Sequence, residues 1–210
     1  MQSEIILNNV GKRFRYDWIF KNMNLHFIGS NRYAILGSNG SGKSTLMKIL
    51  SGYLSPTQGD ISFVFNEKKT DTDLIYKNIS YAAPYIDLIE EYSLSELIAF
   101  HARFKPLINN LVINEVINIL ELAHTGTKEM RFFSSGMKQR VRLGLAILSD
   151  TPILLLDEPT TNLDVKGVDW YATMIEKFVM PTQRLCIIAS NTPHDYAFCD
   201  EFLNVEEFKK

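Results

Sequence analysis

Residues 32–45 read RYAILGSNGSGKST, and the reading of this stretch decides the fold. RYAIL is a short, β-prone apolar run, and LMKIL beyond the glycines reads as a helix that stops near Gly52, before the breakers at Ser55, Pro56 and Gly59. Between them, GSNGSGKS at 37–44 fits GxxxxGKS/T in the strand-before, helix-after context that this motif requires. Gly37, Gly40 and Gly42 permit a backbone path that turns successive amides inward, where a helix terminus adds positive potential for a phosphate. The candidate cradle is Gly37, Ser38, Asn39, Gly40, Ser41, Gly42, Lys43, Ser44 and Thr45. Lys43 has the reach for β and γ phosphates, and the Ser44 hydroxyl is a candidate magnesium ligand.

Far downstream, ILLLDEP at 153–159 supplies a second half. A buried apolar strand that ends in acids puts Asp157 at the carboxyl edge of a sheet, where open α/β folds place their ligands. Asp157 is a candidate for holding magnesium through water, and Glu158 for orienting or deprotonating an attacking water. Around these motifs strands and helices alternate: DVKGVDWYATMIEKFVM reads as a helix, RLCIIAS as a buried strand and EFLNVE as a short one. That alternation means a parallel sheet with helices on its faces. The first 36 residues are short β runs, EIILNNV, MNLHFI and RYAIL, with a Gly-Ser-Asn turn between the last two. DISFVF reads as strand and EKKTDTD as a polar loop, and from Ser93 to Glu121 the period turns helical on either side of Pro106.

Bulk properties exclude several classes. With 210 residues, 46% hydrophobic and 22% charged, the composition is that of a globular domain with a sizeable core. Twenty-two Lys and Arg against 24 Asp and Glu give a formal charge of -2, so no global basic field points to nucleic acid. Cys186 and Cys199 lie in no metal-ligand spacing, which suggests a reducing compartment. No signal pattern or membrane-length apolar run is present, so a cytosolic location is expected. Two kinds of P-loop protein remain, a small kinase or GTPase and a transporter-type ATPase; the base-reading NKxD of a GTPase is absent.

Residues 131–148, RFFSSGMKQRVRLGLAIL, sharpen the choice, because a Ser-Ser-Gly turn opening into a helix is another ready anion site. Here the chain resembles the nucleotide-binding domain of ABC transporters over nearly its whole length. GSNGSGKST matches the family's Walker A; ILLLDEPTTNLD matches Walker B followed by the D-loop, and FSSGM with KQRV after it stands in the place of the signature LSGGQ. The resemblance implies one ABC-type domain over 1–210: a P-loop NTPase α/β core with a parallel sheet, an antiparallel β-subdomain and an inserted helical subdomain at about 85–148. It implies ATP and magnesium as cofactors, and a head-to-tail pair in which Ser134 and Gly136 cap the γ-phosphate held by a second ATP-binding subunit. It also implies a separate transmembrane permease, docked on the 84–92 loop at the cytoplasmic face of the membrane. By spacing, Phe14 is the match for the aromatic that stacks on adenine, with Tyr16 as runner-up.

Three departures stand out. In the signature, Ser135 replaces a glycine and Met137 the glutamine. In ISYAAPYIDLIEEYSL at 79–94, Pro84 takes the place of the glutamine that in the family touches the metal and relays nucleotide state to the permease. In IIASNTPHD at 187–195, Asn191 stands where the family has its γ-phosphate histidine, with His194 three positions on as a substitute if the loop bends back. A non-transport ABC ATPase, and an ATP-binding regulatory module with weak hydrolysis, remain as alternatives; the retained Glu158 argues against the second.

Overall fold

The structure, a computed structural model, describes residues 3–209. The chain runs through β1 (Ser3–Phe14), β2 (Asp17–Ile28), β3 (Arg32–Leu36), α1 (Lys43–Leu50), β4 (Gln58–Phe65), β5 (Lys68–Thr70) and β6 (Ile79–Ala82). It continues through α2 (Leu94–Phe104), α3 (Ile113–Ile119), α4 (Ser135–Ile147), β7 (Ile153–Asp157), α5 (Val165–Phe178), β8 (Leu185–Ala189) and β9 (Glu201–Asn204). Two sheets result: an antiparallel one ordered β2-β1-β4-β5 and a parallel one ordered β6-β7-β8-β3-β9.

Two sequence expectations change. The first two β runs are longer than their apolar patterns, forming a hairpin of two twelve-residue strands paired from Glu4↔Ile28 to Phe14↔Asp17. Register shifts between Leu7 and Val10, and again before Lys12 and Arg13, break the alternation that would have revealed their length. Within the loop expected at EKKTDTD, Lys68–Thr70 pairs with the edge of β4 as a short, charged strand, a composition that discourages further pairing.

The parallel strands β7 and β8 are buried along their whole length. Their alternation sends successive side chains to opposite faces. Leu154, Leu156, Cys186 and Ile188 join a core with residues of α2 to α5. Ile153, Leu155, Leu185 and Ile187 join a second core with α1 and the antiparallel sheet. The parallel sheet is therefore the middle layer, and its carboxyl edge gathers the loops that follow β3, β7 and β8.

The helix starts differ in a way that matters for function. Ser93 and Glu96 form a reciprocal capping box on α2, Ser134 Oγ accepts from the Met137 amide at 3.2 Å on α4, and Asp164 accepts from the Gly167 amide at 2.8 Å on α5. The N-cap of α1 is Gly42, at φ 110° and with no side-chain cap. The first amides of α1 are thus left for an external acceptor.

Candidate functional site

The path into α1 is carried by three glycines in the left-handed half of conformational space, Gly37 at φ 142°, Gly40 at 77° and Gly42 at 110°. At Gly42 a second constraint applies: a Cβ there would stand 2.5 Å from Ile19 Cγ2, so the β2 side chain can close over the loop only because no side chain occupies that position. The loop, the Glu158 turn and the residues after β8 together bound a cleft of about 630 Å³. Of the expected residues, Asn39, Gly40, Ser41, Gly42, Lys43, Ser44, Thr45, Glu158 and Asn191 line it, joined by Ile19, Thr161 and Thr192. Gly37 and Ser38 lie behind the lining, where the Ser38 amide donates to Glu206 Oε1 at 3.1 Å and its hydroxyl donates to the same oxygen.

Lys43 is only 6% exposed. Its Nζ donates to Gly37 O at 2.7 Å and sits 3.8 Å from Glu158 Oε1, so its charge is held at the mouth of the cradle by its own loop. Asn191 Nδ2 donates to Asn39 Oδ1 at 3.1 Å, bringing the β8 loop onto the phosphate loop. His194 does not line the cleft; its Nε2 lies 3.5 Å from Thr160 Oγ1 and 3.8 Å from Asp195 Oδ1. Phe14 also lies outside the lining, 48% exposed at the end of β1 with Lys12 Nζ 5.3 Å from its ring centroid, and Tyr16 projects from the hairpin turn at 90% exposure.

Asp157, at the end of β7 beside Glu158, is not in the lining of the cleft but feels the charge of Lys43. It is fully buried, Tyr85 Oη donates to its Oδ2 at 2.7 Å, and its Oδ1 has no hydrogen-bond partner among the described residues. Ser41 Oγ is likewise buried and unpartnered. Buried polar atoms without a partner are rare in folded proteins, and a bound ion is one way in which such a shell is completed. Burial pushes the Asp157 carboxyl above its ordinary value against the pull of the Tyr85 and Ser44 hydroxyls and the Lys43 and Lys48 charges. Burial likewise raises Glu158, opposed by Lys43 and assisted by Asp157 and Asp195. Oxygen donors with a buried, unbalanced negative charge fit a hard cation such as magnesium.

A carboxyl whose folded-state value lies above its unfolded one costs stability when ionised, and that cost fades as pH falls through the folded value. Replacing Asp157 by Asn is therefore expected to raise the melting temperature of the nucleotide-free protein, by about 2–4 °C for each kcal/mol relieved. The same variant should lose most of the further rise that magnesium and ATP give the wild type. Scanning calorimetry with and without ligand checks both signs, and a lowered melting temperature in the free protein would count against a strained carboxylate.

Several participants carry no sequence signal of their own. The Ser190 hydroxyl donates to Asp195 Oδ2 at 2.6 Å, with Glu158 Oε2 a second acceptor at 3.4 Å, and Thr160 Oγ1 donates to Asp195 Oδ1 at 2.6 Å. Gln139 of α4 donates to Pro159 O at 2.9 Å, tying the signature helix to the turn that carries Glu158. Ser134 and Gly136, however, line a separate cleft of about 490 Å³ with Asn162, Leu163 and Asp164, and share no lining residue with the phosphate-loop cleft.

An uncapped, glycine-shaped helix start with a lysine, at the carboxyl edge of a parallel sheet and facing acids at the end of a buried strand, defines a P-loop nucleotide-binding protein. Residues 20–161 match the family described as ABC transporter, and the chain belongs to that family. It is 31% identical over 178 residues to the lantibiotic transport ATP-binding protein SrtF of Streptococcus pyogenes, covering 82% of this chain and 73% of that one. It is also 31% identical over 161 residues to an uncharacterized ABC transporter ATP-binding protein, YcbN, of Bacillus subtilis, covering 77% of this chain and 52% of the relative. With the sulfate/thiosulfate import ATP-binding protein CysA of Synechocystis, where 46% is covered, this means that the chain spans about half the length of some curated relatives that it matches. Among solved structures, an ATP-binding cassette determined as a dimer in a post-hydrolysis state with ADP and Pi superposes with a TM-score of 0.80 at 23% identity, over 96% of this chain and 95% of that one. An ATP-binding subunit of an ABC transporter gives 0.82 at 20% identity, over 96% and 86%. Among the described residues no helix is long and apolar enough to cross a membrane.

Proposed function

We propose that this chain binds ATP with magnesium and hydrolyses it as the ATP-binding subunit of a membrane transporter. The observation that carries this reading is the convergence of the uncapped start of α1, Lys43, Glu158 and Asn191 on one cleft. The amides of residues 39–45 and Lys43 hold the phosphates, and Asn191 donates a hydrogen bond to the terminal one. Ser44 and the unpartnered Asp157 Oδ1 would hold magnesium, which when bound neutralises charge building on the β and γ oxygens. Glu158, ionised beside Lys43 Nζ at 3.8 Å, accepts the proton of the attacking water and becomes the neutral acid. Phe14, at the end of β1 and outside the lining of the cleft, is assigned to the adenine.

The separation of the Ser134 cleft from the phosphate-loop cleft supports pairing with a second ATP-binding subunit, each signature serving the nucleotide of the other. The groove of about 250 Å³ between the segment after β6 and α2, with Ile86, Ile89, Phe100 and Phe104 in its lining, supports docking of a transmembrane permease at the cytoplasmic face. The family and the transport names of its relatives support the same assignment, with 1–210 acting as one domain and residues about 85–148 as its helical part.

The ATPase half is tested by phosphate release from the purified chain. Lys43→Ala removes a charge-assisted contact worth about 1.5–3 kcal/mol, or roughly a 10- to 150-fold loss in ATP affinity. An unchanged affinity would remove Lys43 from the site. The transporter half is tested by fractionating cells that make the chain: wild type should sediment with membranes and Ile89→Asp should not. A wild type found wholly in the soluble fraction would leave an ATPase without its membrane partner.

A further inference from the structure

Pro84 has no side chain able to reach a metal, yet the residue after it does reach the metal site. Tyr85 Oη donates to Asp157 Oδ2 at 2.7 Å and is itself hydrogen-bonded to Tyr81 Oη, from the penultimate residue of β6. Lys48 Nζ lies 4.5 Å from the centroid of the Tyr85 ring, a cation–π contact from the same face of α1 that carries Ser44 one turn earlier. Tyr85 is thus held from both elements that bear the proposed magnesium ligands. Of the two Asp157 oxygens, it takes one and leaves the other, fully buried, without a partner.

We propose that Tyr85 is a positioning residue of the metal site, fixing the Asp157 carboxylate so that Oδ1 is the oxygen offered to the cation. A free carboxylate presents either oxygen by rotating about its terminal bond, and the rotation costs little. A donor on one oxygen removes that freedom, which is how outer hydrogen bonds tune metal affinity. The Tyr81 hydroxyl and the Lys48 ammonium hold the phenol in turn, so the donor is itself oriented. The inference rests on the assignment of Asp157 and Ser44 to magnesium.

The test uses the whole chain with ADP, and manganese as a paramagnetic stand-in for magnesium, its binding read by electron paramagnetic resonance so that no turnover is needed. Tyr85→Phe is expected to weaken manganese binding roughly 10- to 100-fold. Nucleotide binding in EDTA should stay near wild type, while the melting temperature should fall by about 2–4 °C for each kcal/mol lost when a buried carboxylate loses a donor. Wild-type manganese affinity in Tyr85→Phe would overturn the proposal, as would a fall in metal-free nucleotide binding as large as the fall in manganese binding, which marks a merely structural residue. Asp157→Ala separates the two levels: a loss there with none in Tyr85→Phe sinks the tyrosine's role alone. No loss in Asp157→Ala overturns the metal assignment and the inference with it.

Discussion

Replacing Glu158 by glutamine is expected to lower ATP turnover by about 10²–10⁴-fold, the range that a positioned general base contributes. ATP affinity should stay within a few-fold of wild type. The backbone fixes where this side chain stands. Glu158 sits at φ 47°, a left-handed conformation costly for a non-glycine residue, and is pinned there by its amide donating to Ala189 O at 2.8 Å and its carbonyl accepting from Thr161 N at 3.2 Å. That geometry turns the side chain into the cleft, with Oε1 3.8 Å from Lys43 Nζ. Glutamine keeps the size and the acceptor but cannot take a proton. Because burial raises the Glu158 carboxyl and the base must be ionised, wild-type turnover should be lost on acidification through a value above the ordinary glutamate range. Phosphate release against pH in both proteins checks the pair of expectations. Equal rates in wild type and variant, with ATP still bound, would favour a regulatory module that hydrolyses little.

Much of this architecture is legible in the chain, and what is not has physical causes. GSNGSGKS announces itself because phosphate binding needs glycines, a lysine and a hydroxyl at fixed offsets within one turn. ILLLD is equally plain, since a strand buried on both faces has no polar alternation to disguise it. The hairpin of β1 and β2 is underestimated because its bulges break the period that a reader counts. The site divides the same way. Residues 39–45, Glu158 and Asn191 follow from motif and strand-end position, whereas Tyr85 meets Asp157 across 72 positions and Thr160 meets Asp195 across 35. A tyrosine after a proline, or a serine ending an apolar strand, is consistent with many environments, and only the packing of neighbouring strands selects one. His194 shows the converse: its residue type suggested phosphate chemistry, and the turn at Pro193–Asp195 directs it toward Thr160.

Ser134→Glu, in the Glu158→Gln background where hydrolysis does not dissolve the complex, is expected to abolish ATP-driven pairing and leave ATP binding by the single chain within about twofold. Ser134 is exposed, so the longer side chain meets no core. Losing its cap on the Met137 amide costs about 0.5–2 kcal/mol, and a carboxylate beside a helix N-terminus recovers part of that through the dipole. The damage falls on the other partner. If the 490 Å³ cleft receives the terminal phosphate of a second chain's ATP, a carboxylate there sets like charges against each other, at a cost of several kcal/mol. Gly136 offers an independent handle, since a Cβ would stand 3.0 Å from Asn162 O, where the signature meets the turn after Walker B. Gly136→Ala should then weaken pairing by crowding and without new charge, so its defect should be nearly independent of salt. The Ser134→Glu defect should ease as ionic strength rises, because Coulomb repulsion at an exposed position is screened by salt. Light scattering across ionic strengths, with and without ATP, reads both. Loss of ATP binding by the single Ser134→Glu chain would return the signature to its own nucleotide, and undiminished pairing would remove it from the interface.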